Sequence, residues 1–252
     1  KDIKSRYNVL SYISYLTHTN TLTNANLEII KSLNNAKLEA FITITLNANQ
    51  FIASSGLLEL SRGDEKRLKK IANAIKLLKQ EELLNQENIE LLLSDDLPKD
   101  IIYHFAQALT VLKNNDINDL KWKLEIQNTR QPLLLAFGIG ELAKAEIFSQ
   151  ENLEKIKQAR SIRLFVKLLR SLNRVDRLNE NNLQSLVVLD ESLFDSVQYR
   201  KISKLKNVSP FFFDDLFSII SEQKTTLSKI DQLLLDKKYF DKPRLSINPM
   251  QS

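Results

Sequence analysis

A six-residue pattern recurs along this chain at intervals of about 30 residues or twice that. Its clearest copies open on an apolar residue followed by Ser, Thr or Asn, and they close on Asn followed by Leu or Ile. They occupy residues 22–27, 84–89, 148–153 and 178–183, and weaker copies begin at residues 52, 117, 208 and 240. We call the eight opening residues anchors: 22, 52, 84, 117, 148, 178, 208 and 240. A repeat of this length is typical of stacked supersecondary units.

Other positions follow the same period. The residue six before the anchor is aliphatic in all eight copies: Leu16, Leu46, Leu78, Val111, Leu142, Leu172, Ile202 and Leu234. In the first seven copies, the residue eight after the anchor is apolar except in the fourth repeat, where Glu125 stands. These constant apolar positions predict a core contribution from every repeat.

Each repeat is predicted to hold two helices. The residue after the anchor is a good N-cap at Thr23, Asn85, Asn118, Ser149, Asn179 and Ser209. Pro210 then fits the first helical position, and Pro98 and Pro132 are expected to open second helices. The second helix of the fifth repeat is predicted from about Ala159 to Arg177, and residues 3–20 are predicted to form a second helix that precedes the first anchor.

The composition supports helices and excludes several alternatives. With 4 Gly and 5 Pro in 252 residues, the chain lacks the turn residues that an all-β fold requires and the glycines of a doubly wound nucleotide-binding fold. The absence of Cys excludes disulfides, thiolate zinc sites and cysteine catalysis. Asn is expected to replace Gly at helix C-termini, as at Asn49, Asn114, Asn115 and Asn207.

We therefore predict an all-α fold, an α-solenoid of about seven antiparallel helix pairs over residues 1–241. A globular bundle built from the same pairs is the alternative. Residues 242–252 contain Pro243 and Pro249 and are expected to form a flexible tail or the start of a further repeat. The half units at the two ends are interpreted either as caps or as parts of a longer array.

The period is close to that of ankyrin and tetratricopeptide units, but their signature residues are absent. The pattern at residues 22–27, 84–89, 148–153 and 178–183 resembles helical repeats in effector proteins that intracellular bacterial pathogens inject into host cells. This resemblance implies an adaptor, or a regulator of a host protein or of another effector. It transfers no catalytic residue.

The residues offer little for catalysis. His18 and His104 lie far apart, and each is interpreted as a packing or surface residue because no His-Glu-x-x-His motif is present. Gly138-Ile-Gly140 lies in an apolar helix and is interpreted as a close helix contact. We expect a chain that is not an enzyme, with no catalytic residue, metal, cofactor or small-molecule substrate. The sequence contains no run of 18 apolar residues, so we predict no membrane span. We expect a cytoplasmic location, or the host cytosol if the effector resemblance holds.

One charged feature stands out in a chain of net charge +5. Six basic residues follow each other in the fifth repeat at spacings of 3, 4, 3, 4 and 3, which places them on one face of a helix. They are Arg160, Arg163, Lys167, Arg170, Arg174 and Arg177, and the sixth repeat adds Arg200 and Lys204 at equivalent offsets. Stacked repeats would align these cations into the wall of a groove.

The basic wall has three interpretations: a solvated helix face, a binding site for an acidic protein, or a site for nucleic acid or an anionic surface. We expect a protein partner with an acidic surface. Aromatic residues suggest secondary contact sites. Phe211, Phe212, Phe213 and Phe217 are interpreted as core packing or as a docking patch, and Tyr7, Tyr12 and Tyr15 as cap packing or contact residues.

Overall fold

The structure is a computed structural model that describes residues 3–18, 24–205, 208–221 and 227–240. Over these ranges the chain forms fifteen α-helices, two short 3-10 turns and no β-strand, which confirms the all-α prediction. Two compact units are present, residues 1–133 and 134–252.

The first unit contains eight helices. They are α1 (Ile3–His18), α2 (Asn24–Ser32), α3 (Asn35–Ala48), α4 (Ser54–Arg62), α5 (Glu65–Gln80), α6 (Gln86–Leu93), α7 (Ile102–Lys113) and α8 (Leu120–Gln127), with a 3-10 turn at Asn49–Phe51. Helix α3 packs against α5, and α5 packs against α7. Second helices of neighbouring repeats therefore lie side by side within this unit.

The second unit contains seven helices. They are α9 (Pro132–Lys144), which begins two residues before the unit boundary, α10 (Gln150–Gln158), α11 (Ile162–Arg174), α12 (Glu180–Leu193), α13 (Val197–Ile202), α14 (Pro210–Ser221) and α15 (Leu227–Leu235), with a 3-10 turn at Lys237–Tyr239. Helix α12 packs against α14 and α13 against α15, so helices one repeat apart are again in contact.

The helix starts explain the recurring pattern. The side chains of Asn85, Ser149 and Asn179 each accept a hydrogen bond from the backbone N–H three residues later, as the caps predict. The Asn at the fifth position of the pattern has a second role. Its side-chain amide donates to the backbone carbonyl five residues earlier in three repeats: Asn88 to Leu83, Asn152 to Ile147 and Asn182 to Arg177. The capping residue Thr23 lies outside the described residues.

The helix ends explain the scarcity of glycine. Four acidic residues adopt left-handed backbone conformations where second helices end: Glu82, Asp116, Glu146 and Asp176, with φ between 54° and 58°. At each of them the next backbone N–H donates to the carbonyl five residues before it, in the arrangement known as the Schellman motif. The expectation that Asn takes this role is wrong at Asn49 and Asn114, which have right-handed conformations, and at Asn115, whose φ is not positive. Asn207 lies outside the described residues.

Most constant apolar positions lie in the core. Leu78, Leu142, Leu172 and Ile202, each six residues before an anchor, are fully buried, whereas Leu46 is partly exposed. The aromatic run of the seventh repeat is mainly core as well. Phe212, Phe213 and Phe217 are buried, while the side chain of Phe211 is 66% exposed. Tyr12 is buried too, and the side chains of Tyr7 and Tyr15 lie outside the described part.

The fourth repeat departs from the pattern because α8 is rotated about its axis. Its polar residues Lys123 and Gln127 are buried, whereas Leu120 and Leu124 are exposed. The Lys123 Nζ atom lies 2.5 Å from Oε1 of Glu87, and the Gln127 amide donates to the Leu91 carbonyl at 2.9 Å. Polar contacts thus join α8 to α6 at this position.

Three predicted helix limits are wrong. Helix α8 is capped by Asp119, whose side chain accepts from the N–H of Lys121, and not by Asn118. Pro132 opens α9 as expected, but Pro98 stands in a turn, where its carbonyl accepts from the N–H of Ile101, and α7 begins only at Ile102. The second helix of the fifth repeat is α11, and it runs from Ile162 to Arg174 rather than from about Ala159 to Arg177. Ser161 caps its start by accepting from the N–H of Leu164. The tail at residues 242–252 lies outside the described residues.

Candidate functional site

Helix α11 is strongly amphipathic and carries the basic residues singled out in the sequence. Its apolar residues Phe165, Leu168, Leu169 and Leu172 are fully buried. Four cations occupy the outer face: Arg163, Lys167, Arg170 and Arg174. The helix therefore presents a basic face because its other face is fully used by the core.

The two outermost cations of the predicted stripe belong to the flanking segments, not to the helix. Arg160 precedes the capping Ser161, and its Nη1 atom lies 3.4 Å from Oδ2 of Asp195. Arg177 follows the helix, and its Nη2 atom lies 3.3 Å from Oδ2 of Asp214. Each end of the stripe is therefore paired with a carboxylate from a later segment.

The middle of the stripe borders an open pocket of about 300 Å³. Its lining residues are Lys167, Arg170, Ser171, Arg174, Ser203, Lys204 and Leu205. Four of these seven side chains are cationic, two are hydroxyls and none is a carboxylate. The pocket thus joins α11 to the turn that follows α13, and it concentrates positive charge from two adjacent repeats.

The side chain of Arg170 is positioned by two residues of α9. Its Nε donates to Oε1 of Glu141 at 3.1 Å, and its guanidinium lies 5.0 Å from the centre of the Phe137 ring. The Glu141 carboxylate is almost completely buried, and it also accepts from the side-chain amide of Asn173 at 2.9 Å. Because Nε is engaged, the two terminal nitrogens of Arg170 are the donors that remain for a ligand.

One of the two serines connects the walls of the pocket. The Ser171 hydroxyl lies within hydrogen-bonding distance of the Lys167 carbonyl at 3.0 Å and of the Leu205 carbonyl at 3.3 Å. The Ser203 hydroxyl donates to the Arg200 carbonyl within the end of α13. The contact between Ser171 and Leu205 therefore holds the turn that carries Lys204 close to α11.

The unpaired cations are the feature that distinguishes this pocket. Within the described ranges, no ion pair involves Lys167, Arg174 or Lys204, and the same is true of Arg163 and Arg200, which are exposed but do not line the pocket. The structure therefore brings Lys167, Arg170, Arg174 and Lys204 together. It leaves Arg163 and Arg200 outside and neutralises Arg160 and Arg177.

A buried carboxylate anchors the segment before α11. Asp190 of α12 accepts from the backbone N–H of Arg160 at 2.8 Å and from the Tyr199 hydroxyl. Burial, followed by the Asp190 contact, raises the pKa of Tyr199. Tyr199 is fully buried and lies on α13, so this cluster connects α12, α13 and the start of α11.

Sequence reasoning did not find Glu141, Phe137, Ser171 or Ser203. A usable signal existed for Glu141, because it precedes Arg170 by 29 residues, which is close to one repeat period. Residues one period apart are neighbours in stacked repeats. The two serines carry no such signal, because small hydroxyl residues are common in helices and turns for other reasons.

The other candidate residues have simple surroundings. His104 is exposed, with Nδ1 3.1 Å from Oε1 of Gln107, and His18 is exposed at the end of α1. A Cβ atom at Gly138 would lie 2.9 Å from Cδ1 of Ile156, so this glycine does provide a close helix contact. In the described part of the chain, no group of three or more His, Asp or Glu side chains is placed to hold a metal ion. None of the helices described is both long and apolar enough to cross a bilayer.

Comparison with known proteins adds no relative. No protein-family model, no curated protein and no solved structure matches this chain.

Proposed function

We propose that this chain is a non-catalytic protein-interaction module that binds a partner with an acidic surface. The observation that carries the proposal is the pocket lined by Lys167, Arg170, Arg174 and Lys204, three of which have no ion pair within the described residues. Cations left unpaired around a concave surface attract a complementary acidic surface and speed its association.

The repeated helix pairs support the same proposal. We propose that they continue as an α-solenoid, whose stacked units present side chains at regular spacing. A rigid surface loses little conformational entropy on binding, so contacts with a partner are used efficiently. By the resemblance of its repeats, the module would act as an effector-type adaptor or regulator of a host protein or another effector, and would work in the host cytosol.

Nucleic acid is the weaker alternative. A protein that follows a phosphate backbone needs positive charge along an extended track. Here Asp195 and Asp214 accompany the cations at the two ends of the stripe. The Asp195 carboxylate is largely exposed and the Asp214 carboxylate is partly exposed. Their charge opposes an extended polyanion and favours a local acidic contact.

Capture from a cell lysate treated with nuclease tests the proposal. The parent is compared with a Lys167→Glu, Arg174→Glu, Lys204→Glu variant. A control carries Lys66→Glu, Lys76→Glu and Lys237→Glu, which change the net charge equally at exposed positions outside the pocket. We expect a defined protein to be retained by the parent and the control and lost by the pocket variant.

Two other results would count against the proposal. Retention of the same protein by all three chains would show that the binding site lies outside the pocket. If the parent captured material only from a lysate without nuclease, the partner would be nucleic acid and not protein.

A further inference from the structure

The pocket carries more positive charge than a single carboxylate can neutralise. Four cationic side chains line it, and Glu141 beneath Arg170 offsets one of them, which leaves three. A glutamate or aspartate side chain from a partner brings one negative charge. A phosphate monoester brings about 1.5 to 2 negative charges at neutral pH and three strong acceptor oxygens.

The donors also converge in a way that suits a compact anion. Lys167, Arg170 and Arg174 follow each other at spacings of 3 and 4 along α11, so they share one helix face. Lys204 approaches from the turn after α13, on the other wall. Arg170 is oriented by Glu141 and Phe137, which leaves its planar terminal nitrogens for the two-point contacts that arginine makes with phosphate oxygens.

The surroundings limit the ligand to a local group. Beyond the pocket, the cations at the two ends of the stripe are paired with Asp195 and Asp214. A long polyanion would bring further negative charge toward these carboxylates, whereas a single phosphorylated side chain would not. Among the described residues, Arg163 and Arg200 also remain unpaired outside the pocket, but the cations that face one another across a concave surface are those that line it.

We propose that the pocket formed by Lys167, Arg170, Arg174 and Lys204 binds a phosphate monoester carried by a side chain of the partner protein. This inference rests on the proposed function, since it names the chemical group of the partner that the basic pocket selects. Any acidic partner would satisfy the proposed function, whereas only a phosphorylated one satisfies the inference.

The test uses two matched peptides and the full chain. One peptide carries a phosphoserine between two glycines and the other a glutamate at the same place, and both are titrated at constant ionic strength by calorimetry and by amide chemical shifts. We expect the phosphoserine peptide to bind about tenfold more tightly than the glutamate peptide, because phosphate oxygens accept more charge-assisted hydrogen bonds. The shifts should centre on residues 167–174 and 203–205.

Variants locate the site. Lys167→Ser, Arg174→Ser, Lys204→Ser should weaken binding of the phosphoserine peptide by at least about tenfold, because three charge-assisted contacts are removed. The matched control Lys66→Ser, Lys76→Ser, Lys237→Ser should bind as the parent does. Arg174→Lys keeps the charge but loses the planar fork, and it should give an intermediate affinity. Circular dichroism checks that each variant keeps the helix content of the parent.

The peptide titrations and the lysate capture distinguish failure of the phosphate inference from failure of the proposed function. Equal affinity for the two peptides would overturn the phosphate inference and leave an acidic protein partner in place. Binding of neither peptide would overturn the inference, while the lysate capture would still report on the proposed function. Tighter binding of a short oligothymidylate than of the phosphoserine peptide, lost in the pocket variant, would overturn both in favour of nucleic acid. Binding to vesicles that contain a phosphate-monoester lipid, without binding to the peptide, would assign the phosphate to a membrane and overturn the inference.

Discussion

Arg170 and Glu141, 29 residues apart, form a 3.1 Å contact in which a partly exposed guanidinium donates to an almost fully buried carboxylate. The pair links α9 to α11 and orients one side chain of the basic pocket. A buried carboxylate without its partner is costly, so this pair is expected to contribute more to stability than an exposed one.

A double-mutant cycle measures that contribution. We expect Glu141→Gln and Arg170→Gln to be coupled by about 1 kcal/mol in the free energy of unfolding, a value reduced by the partial exposure of Arg170. The matched control is Lys201 with Asp231, whose Nζ–Oδ1 distance is 3.3 Å and whose side chains are both partly exposed. Its coupling should stay below about 0.5 kcal/mol. Urea denaturation gives both values, and equal coupling would show that burial of Glu141 does not matter.

Glycine at the left-handed positions should stabilise the chain. Glu82→Gly, Asp116→Gly, Glu146→Gly and Asp176→Gly each relieve a positive φ, and we expect about 0.5–1 kcal/mol per site. Each substitution should raise Tm by a few degrees in a chain of this size, roughly 2–4 °C per kcal/mol. Asn114→Gly is the control, because Asn114 has φ −67° and glycine there only adds flexibility to the unfolded chain. A rise in Tm for this control as large as for the four sites would contradict the explanation.

The buried amide of the repeat pattern should be important for stability. Asn88 is fully buried and donates to the Leu83 carbonyl at 2.8 Å. We expect Asn88→Ala to lower the free energy of unfolding by about 1–3 kcal/mol, because the carbonyl loses its donor in a place that water does not reach. Asn73→Ala, on the exposed side of α5, should change it by less than about 0.5 kcal/mol. Chemical denaturation distinguishes the two, and similar losses at both sites would rule out a special role for the buried amide.

Tyr199 should make stability fall at high pH. Its pKa is raised in the folded chain, chiefly by burial, whereas in the unfolded chain a tyrosine ionises near pH 10. Its contribution is therefore fully present below about pH 10 and is lost above it, because the unfolded state then releases a proton that the folded state keeps.

The measurement is the difference between the parent and Tyr199→Phe. At neutral pH we expect the variant to be less stable by about 1–3 kcal/mol, since Asp190 loses the hydroxyl donor. Between pH 10 and pH 11 that difference should shrink by about 1 kcal/mol. A difference for Tyr199→Phe that did not change with pH would contradict the raised pKa.

Much of the local structure could be predicted from the sequence. The caps at Asn85, Ser149 and Asn179, the proline at the start of α9 and the buried face of α11 all depend on residues within one or two turns of each other. Apolar spacing and capping residues act over such short distances, and this is why the repeat marks helix positions well.

The helix limits and the rotation of α8 could not be predicted in this way. The spacing of basic residues continues beyond both ends of α11. The helix itself begins after the capping Ser161, and the turn that follows it ends at Asp176. Helix α8 turns Lys123 inward because Glu87 of the neighbouring repeat lies within reach, and no local pattern contains that information.

The sequence by itself determined that this chain is helical, where most of its helices lie and which face of α11 is basic, because these properties depend on neighbours along the chain. Only the tertiary structure decided which of the eight predicted cations are available. Asp195, Asp214 and Glu141 lie 29 to 37 residues from the arginines that they contact, whereas Lys167, Arg174 and Lys204 meet no carboxylate among the described residues. Charge pairing depends on distances in space of a few ångströms, and folding sets these distances between residues that the sequence keeps far apart.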